Sequence, residues 1–286
     1  MATAVTTRLE DKYVTIDGLR VRYIEQGTGP VALFLHGASL GSSADVFADN
    51  IAQFADAGFR AMAFDIPGFG LSDTPAQQTV KAQRDSIPKF IDAAGLGKVA
   101  LMAHSRSGGF AVELALAEPH RYSHIVVLGS GNLLPPQDEG QAARHQEAQQ
   151  RADQMMAEKE PTIEDTRKLL EANLFHHELI TEDELALRHA RSTGANFAAF
   201  VARNKQAEGA PAKEPKTPMW QRLSEVQVPL LLIFGAEDRA RAADRANLLK
   251  QKVPALDIHV VPGCKHLVPW DAADEFVRLA IPVLKR

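Results

Sequence analysis

The chain has a single cysteine in 286 residues, Cys264, so no internal disulfide can form and no multi-cysteine zinc site can be assembled. A reducing compartment fits that count. No apolar run approaches the roughly 18 to 20 residues of a membrane span, and the opening MATAVTTRLEDKYV lacks a basic stretch followed by an apolar one. The expectation is a soluble, cytoplasmic protein. There is no block of Lys or Arg, and the formal net charge is −4, which leaves no cationic field to draw nucleic acid or an anionic membrane. A small molecule becomes the expected partner. Neither G-x-G-x-x-G nor G-x-x-x-x-G-K-[ST] occurs, so the Gly-rich phosphate loops are excluded, and no repeat of fixed period is found.

What is present is a good core former: 45% of residues are hydrophobic and 24% charged, enough to bury a full core without staples. Short β-rich runs alternate with helical patterns over the first 130 residues, at 13–16, 19–24, 31–35, 60–65, 99–103 and 125–128. The first two predict an antiparallel hairpin turned at Asp17-Gly18. The later runs are apolar on both faces, as strands covered by helices on each side must be, and the intervening segments (44–57, 78–94, 107–118) carry helical periodicity. This pattern predicts a parallel α/β sheet. From about 134 the strand signal stops and helical patterns run to about 205, with a helix start at Thr162 followed by Glu164 and Asp165. A Lys/Pro/Glu/Ala stretch at 208–218 reads as an exposed linker. Alternation then resumes with strands at 230–234 and 256–261 and helices at 240–252 and 271–284. The expected division is a core of 1–133 and 225–286 interrupted by a helical cap of 134–224.

Three polar points fall at the carboxyl ends of predicted strands, where open α/β sheets place their ligands. In VALMAHSRSGG an apolar strand passes directly into a small-residue turn and a helix, which would hold Ser105 out of the core on a nucleophile elbow. Ala103 and Ser107 stand at the two glycine positions of G-x-S-x-G. Ser107 also satisfies the small-residue rule, but the last apolar residues of the strand are Met102 and Ala103, which favours Ser105. A serine hydroxyl needs a base, and an imidazole oriented by a carboxylate serves best. Asp238, after the strand in LLLIFGAED, and His266, in GCKHLVPW, supply that pair in chain order Ser, Asp, His. His36-Gly37-Ala38 follows the strand VALFL, so the N–H groups of Ala38 and Arg106 are candidate oxyanion donors. His176-His177 does not suggest a metal, because adjacent helical residues point apart, and Trp220 and Phe197 are expected to pack the cap.

These residues carry a resemblance. The LFLHG run to Gly37, FDIPGFGLSD at 64–73, AHSRSGG, FGAED and CKHLVPWDAADEF are similar to the α/β-hydrolase superfamily across nearly the whole chain. Within it, Cys264-Lys-His266 with Trp270 and Asp271, FADN at 47–50 and LITEDELALRHA at 179–190 look most like the meta-cleavage product hydrolases. Those enzymes hydrolyse a carbon–carbon bond in vinylogous 1,5-diketones made by aromatic ring fission. The resemblance implies a mostly parallel eight-stranded sheet with helices on both faces and a helical cap, Ser105 as nucleophile, His266 as base, Asp238 as its orienting acid, and a cap arginine, Arg188, on the substrate. It implies no cofactor or metal, and a homodimer by family habit. The chain departs from the pattern where the residue before the serine is His104, where Leu267 follows the catalytic histidine, and where ASLGSSADVF replaces a glycine-rich loop. These positions, His104 and Leu267 included, are candidate substrate contacts.

Arg106 adds a separate hint, since a guanidinium beside the nucleophile can hold a carboxylate bidentately. With His104 and Arg188 it would make a partly cationic pocket for an acidic substrate. The alternatives left open are hydrolysis of an ester, lactone or amide with the same triad, a cofactor-free dioxygenase or lyase on the same scaffold, and a receptor without turnover.

Overall fold

The computed structural model describes residues 9–138, 140–208 and 217–286. Most of the predicted linker, and the first eight residues of the opening stretch, lie outside the described residues. One eight-stranded sheet organises the chain: β1 (Lys12–Ile16), β2 (Leu19–Gln26), β3 (Val31–Leu35), β4 (Arg60–Phe64), β5 (Val99–His104), β6 (Tyr122–Leu128), β7 (Leu230–Gly235) and β8 (Asp257–Val261), in spatial order β1-β2-β4-β3-β5-β6-β7-β8. β1 and β2 are antiparallel, with both turn residues left-handed (Asp17 φ 50°, Gly18 φ 80°), as a two-residue hairpin turn demands. β2 meets β4 antiparallel, and the remaining pairs are parallel.

Every residue of β5 is buried, which is why it reads as VALMAH without alternation. Leu101 and Ala103 face a core layer shared with helices α2 (Val80–Ala93), α3 (Arg106–Ala117) and α8 (Ala242–Lys252). Ala100 and Met102 face a second layer shared with α1 (Ala48–Asp56) and the last two helices, α9 (Val268–Asp271) and α10 (Ala273–Leu284). That second layer is centred on Phe34, whose ring lies 5.0–6.2 Å from those of Phe47, Phe54 and Phe276. Truncating Phe34 to Ala would cost about 3–5 kcal/mol by the usual cavity penalty.

Between β6 and β7 come α4 (Gln141–Ala157), α5 (Ile163–Asn173), α6 (Glu182–Ala190) and α7 (Ala195–Glu208). Thr162 caps α5 through a reciprocal capping box with Asp165, as the Thr162 start signal suggested. This insertion sits over the carboxyl ends of the strands, and Leu170, Leu174, Ile180 and Leu185 join it to the second core layer. Trp220 departs from expectation: it packs against the first core layer beneath the sheet, with the Lys252 ammonium 5.7 Å from its ring centroid. Among the described residues no helix is long and apolar enough to cross a membrane.

Candidate active site

Ser105 occupies the turn between β5 and α3 with φ 56° and ψ −122°, a conformation that L side chains strongly avoid. The turn is over-determined on all sides. The Ser105 N–H donates to the Leu128 carbonyl (2.8 Å), and its own carbonyl accepts from Ser130 Oγ (2.5 Å) and Gly108 N–H (3.0 Å). Gly108 is required because a Cβ there would fall 2.5 Å from Ser130 Oγ and 2.7 Å from Val127 Cγ1, so α3 can approach β6 this closely only without one. Ala103 and Ser107 can replace the motif glycines because both are small. Ser107 is buried and its hydroxyl donates to the His36 carbonyl (2.5 Å), which leaves Ser105 as the hydroxyl facing the cleft.

Ser105 Oγ lies 2.9 Å from His266 Nε2, and His266 Nδ1 lies 3.0 Å from Asp238 Oδ2. The His266 and Asp238 side chains are 12% and 6% exposed, so the hydrogen-bonded chain is shielded from bulk water. The hydrogen bond to His266 holds the Asp238 carboxyl below the usual carboxylate range despite its burial. The loop that carries it is contorted: Ala240 and Arg241 both adopt positive φ (56° and 54°), which sequence patterns did not foretell. On the other side, Asp271 accepts from the N–H groups of Phe175, His176 and Lys265 at 2.8–3.0 Å and so pins the His266 loop to the insertion.

All eight residues singled out from the sequence line one cavity of about 270 Å³. Gly37 brings the turn before Ala38 against the elbow: a Cβ there would lie 3.1 Å from Ser105 Cβ. Neither the Ala38 N–H nor the Arg106 N–H has a hydrogen-bond acceptor among the described residues. His104 corrects one expectation. It is buried, its Nε2 lies 2.9 Å from the His266 carbonyl, and burial pulls its pKa down to about 3, so it is a neutral Nε2–H donor and adds no positive charge.

The cationic character rests on arginines. The Arg106 side chain has no ion pair within 4 Å among the described residues; burial lowers its pKa, with Asp153 of α4 opposing. Arg188 donates through Nη2 to Ser39 Oγ and the Leu40 carbonyl, both at 2.9 Å. Leu267 is buried, and its N–H donates to the Asn173 carbonyl at 3.0 Å. Asn132, Gln149, Asp153 and Arg239 also line the cavity and are not singled out by the sequence, because single polar residues on helices and turns read as ordinary surface, and Asn132, Gln149 and Arg239 do stay exposed. Phe197 and the histidine pair stand apart from it: His176 pairs with Glu178 (3.0 Å) and His177 bonds the Glu171 carbonyl (3.1 Å).

A serine held at a strained elbow over a parallel sheet, facing an imidazole backed by a carboxylate, is an arrangement for acyl transfer. Comparison agrees in class: the α/β-hydrolase fold model matches residues 30–273, and the chain belongs to that family and is an enzyme of it. More particularly, it is 30% identical over 294 residues to the 2-hydroxy-6-oxononadienedioate/2-hydroxy-6-oxononatrienedioate hydrolase of Burkholderia vietnamiensis, covering 98% of each chain. It is 27% identical over 301 residues to the 2-hydroxy-6-oxo-6-phenylhexa-2,4-dienoate hydrolase of Burkholderia cepacia, covering 99% of each. Among solved structures it is similar to the 2-hydroxy-6-oxo-6-phenylhexa-2,4-dienoate hydrolase of Rhodococcus sp. strain RHA1, with TM-score 0.77 at 18% identity over 98% of this chain and 99% of that one, a likeness of fold.

Proposed function

We propose that this enzyme is a serine hydrolase that cleaves a carbon–carbon bond in a carboxylate-bearing dienol or diketone of the kind produced by aromatic ring fission. The observation that carries the reading is the Asp238–His266–Ser105 hydrogen-bond chain lining the cavity. After the dienol takes the keto form, His266 accepts the Ser105 proton as Oγ adds to the carbonyl carbon. The N–H groups of Ala38 and Arg106 then receive the oxyanion. Collapse breaks the carbon–carbon bond, the departing dienolate takes a proton, and water activated by His266 hydrolyses the acyl-enzyme to release a carboxylic acid. Arg188 and Arg106 meet the negative charge of the substrate, and the insertion at 134–224 is the cap that excludes water from the core formed by 1–133 and 225–286.

Hydrolysis of an ester, lactone or amide of a small acid is the second reading. It is favoured by Leu267 and neutral His104 beside the catalytic histidine, which give the site few groups with which to read a dienol hydroxyl. A ring-fission dienol and a panel of p-nitrophenyl esters, each followed spectroscopically with wild type and Ser105→Ala, separate the two. Decay of the dienol abolished in Ser105→Ala supports carbon–carbon hydrolysis; turnover of esters alone supports the second. Full turnover by Ser105→Ala would refute serine attack altogether.

A further inference from the structure

Arg188 reaches the cavity from the last turn of α6, yet its guanidinium does not end in free space. They go to the turn that follows Ala38. That turn is closed by the Ser42 N–H on the Ser39 carbonyl (3.0 Å) and by the pair Ser39 Oγ and Ser42 Oγ (3.1 Å), and Arg188 Nη2 holds it from outside through Ser39 Oγ and the Leu40 carbonyl. Gly41 shows how tight the fit is: with φ +77°, it lets the turn pass where a Cβ would sit 2.8 Å from Arg188 Nε and 2.3 Å from Ser192 Oγ. Three residues on, a second bond joins the same elements, from Arg191 Nε to Asp45 Oδ2 (3.0 Å). Asp45 Oδ1 accepts from Arg22 Nη2 (2.6 Å), and the Ala44 N–H donates to Asp65 (2.6 Å), so the far end of the loop is anchored in the core.

We propose that Arg188 is a positioning residue for the oxyanion loop: by clamping the Ser39–Ser42 turn from α6, it makes docking of the insertion and placement of the Ala38 N–H one event. This rests on the serine-hydrolase reading for its kinetic consequence, though the clamp itself does not. An oxyanion donor works through its position, and losing one donor outright costs about 10²- to 10³-fold in kcat. Loosening the turn that carries it misplaces the donor only partly. It leaves the uncharged substrate's binding intact, whereas a residue serving only as a carboxylate ligand leaves a neutral substrate untouched.

The test uses p-nitrophenyl acetate, which has no carboxylate, together with amide hydrogen exchange. In Arg188→Met, kcat on this ester is expected to fall about tenfold with KM unchanged, and exchange of the peptide spanning 37–43 to rise about tenfold, while peptides of α2 and α10 keep the wild-type rate. Added guanidinium at millimolar concentration is expected to restore part of kcat. Ser39→Ala, a smaller perturbation that removes one acceptor, is expected to show the same two changes at about two- to fivefold; it decides the matter where Arg188→Met does not fold. Unchanged exchange at 37–43 in the folded variants would overturn the proposal. So would wild-type kcat on the neutral ester alongside a loss confined to acidic substrates. Should the wild type cleave neither the ester nor a ring-fission dienol, the serine-hydrolase reading is what fails, and the exchange measurement still decides the clamp.

Discussion

Replacing Ser105 by Gly and by Ala separates what the elbow costs from what its hydroxyl does. Both substitutions delete Oγ and its bond to His266, so the comparison between them cancels that loss. What differs is the backbone: at φ 56° and ψ −122°, Ala keeps the steric conflict of an L residue and Gly does not. Such conformations cost about 1–3 kcal/mol, and Gly gives back about 0.5–1 kcal/mol through the extra freedom of its unfolded chain. Ser105→Gly is therefore expected to be more stable than Ser105→Ala by about 0.5–2 kcal/mol. In a domain of this size that corresponds to a rise of about 1–4 °C in Tm. Urea and thermal unfolding of the two variants at neutral pH, followed by circular dichroism, measure the difference, and both should be inactive in any assay that wild type passes. If Ser105→Ala proved equal to or more stable than Ser105→Gly, the idea that strain is stored at this turn to present the hydroxyl would be refuted.

Arg106→Met is expected to lower kcat/KM at least tenfold on an acidic substrate and less than threefold on a neutral ester of the same length, since the guanidinium, not the oxyanion N–H, is what the change removes; equal losses on both would dismiss its role in charge recognition. Stability should fall on acidification. Burial holds His36 and His104 at about 4 and 3, so below pH 6.5 the unfolded chain takes up protons that the fold refuses, and stabilisation present above pH 6.5 is lost as the pH drops toward 4. Asp65, pushed up to about 6, acts in the opposite sense between about pH 6 and 4, but one carboxyl does not offset two histidines. The urea midpoint should thus be lower at pH 5 than at pH 7, and His104→Gln should flatten that slope; an unchanged slope would mean His104 is not held neutral. Asp271→Ala, which strips three N–H groups of their acceptor, is expected to destabilise by about 1–3 kcal/mol and to reduce kcat through the His266 loop, with wild-type kcat as the contrary result.

Much of this architecture was legible from order along the chain. Val31–Leu35 and Val99–His104 are apolar on both faces because helices cover both, and that period needs no coordinates to be read. The elbow was legible for a similar reason: a strand running without a spacer into small residues and a helix has few ways to turn, and each puts the hydroxyl at the top of the sheet. The choice between Ser105 and Ser107 followed from where the apolar run stops, and the buried Ser107 hydroxyl on the His36 carbonyl agrees with it.

What local pattern could not supply was decided by packing across long separations. Strand order β2-β4-β3-β5 follows from which apolar faces can be covered at once, a condition on the whole sheet. His104 looked like a source of positive charge, and becomes neutral only because the core around it denies the charged form its water. Asn132, Gln149 and Asp153 border one cavity only because the insertion folds back over the strand ends. Arg188, which the family resemblance assigns to the substrate, also meets Ser39 and Leu40 across nearly 150 residues of chain, a contact no spacing rule reaches. Periodicity and turn chemistry are local and so are carried by neighbouring residues; desolvation and clamping belong to whatever tertiary structure brings alongside.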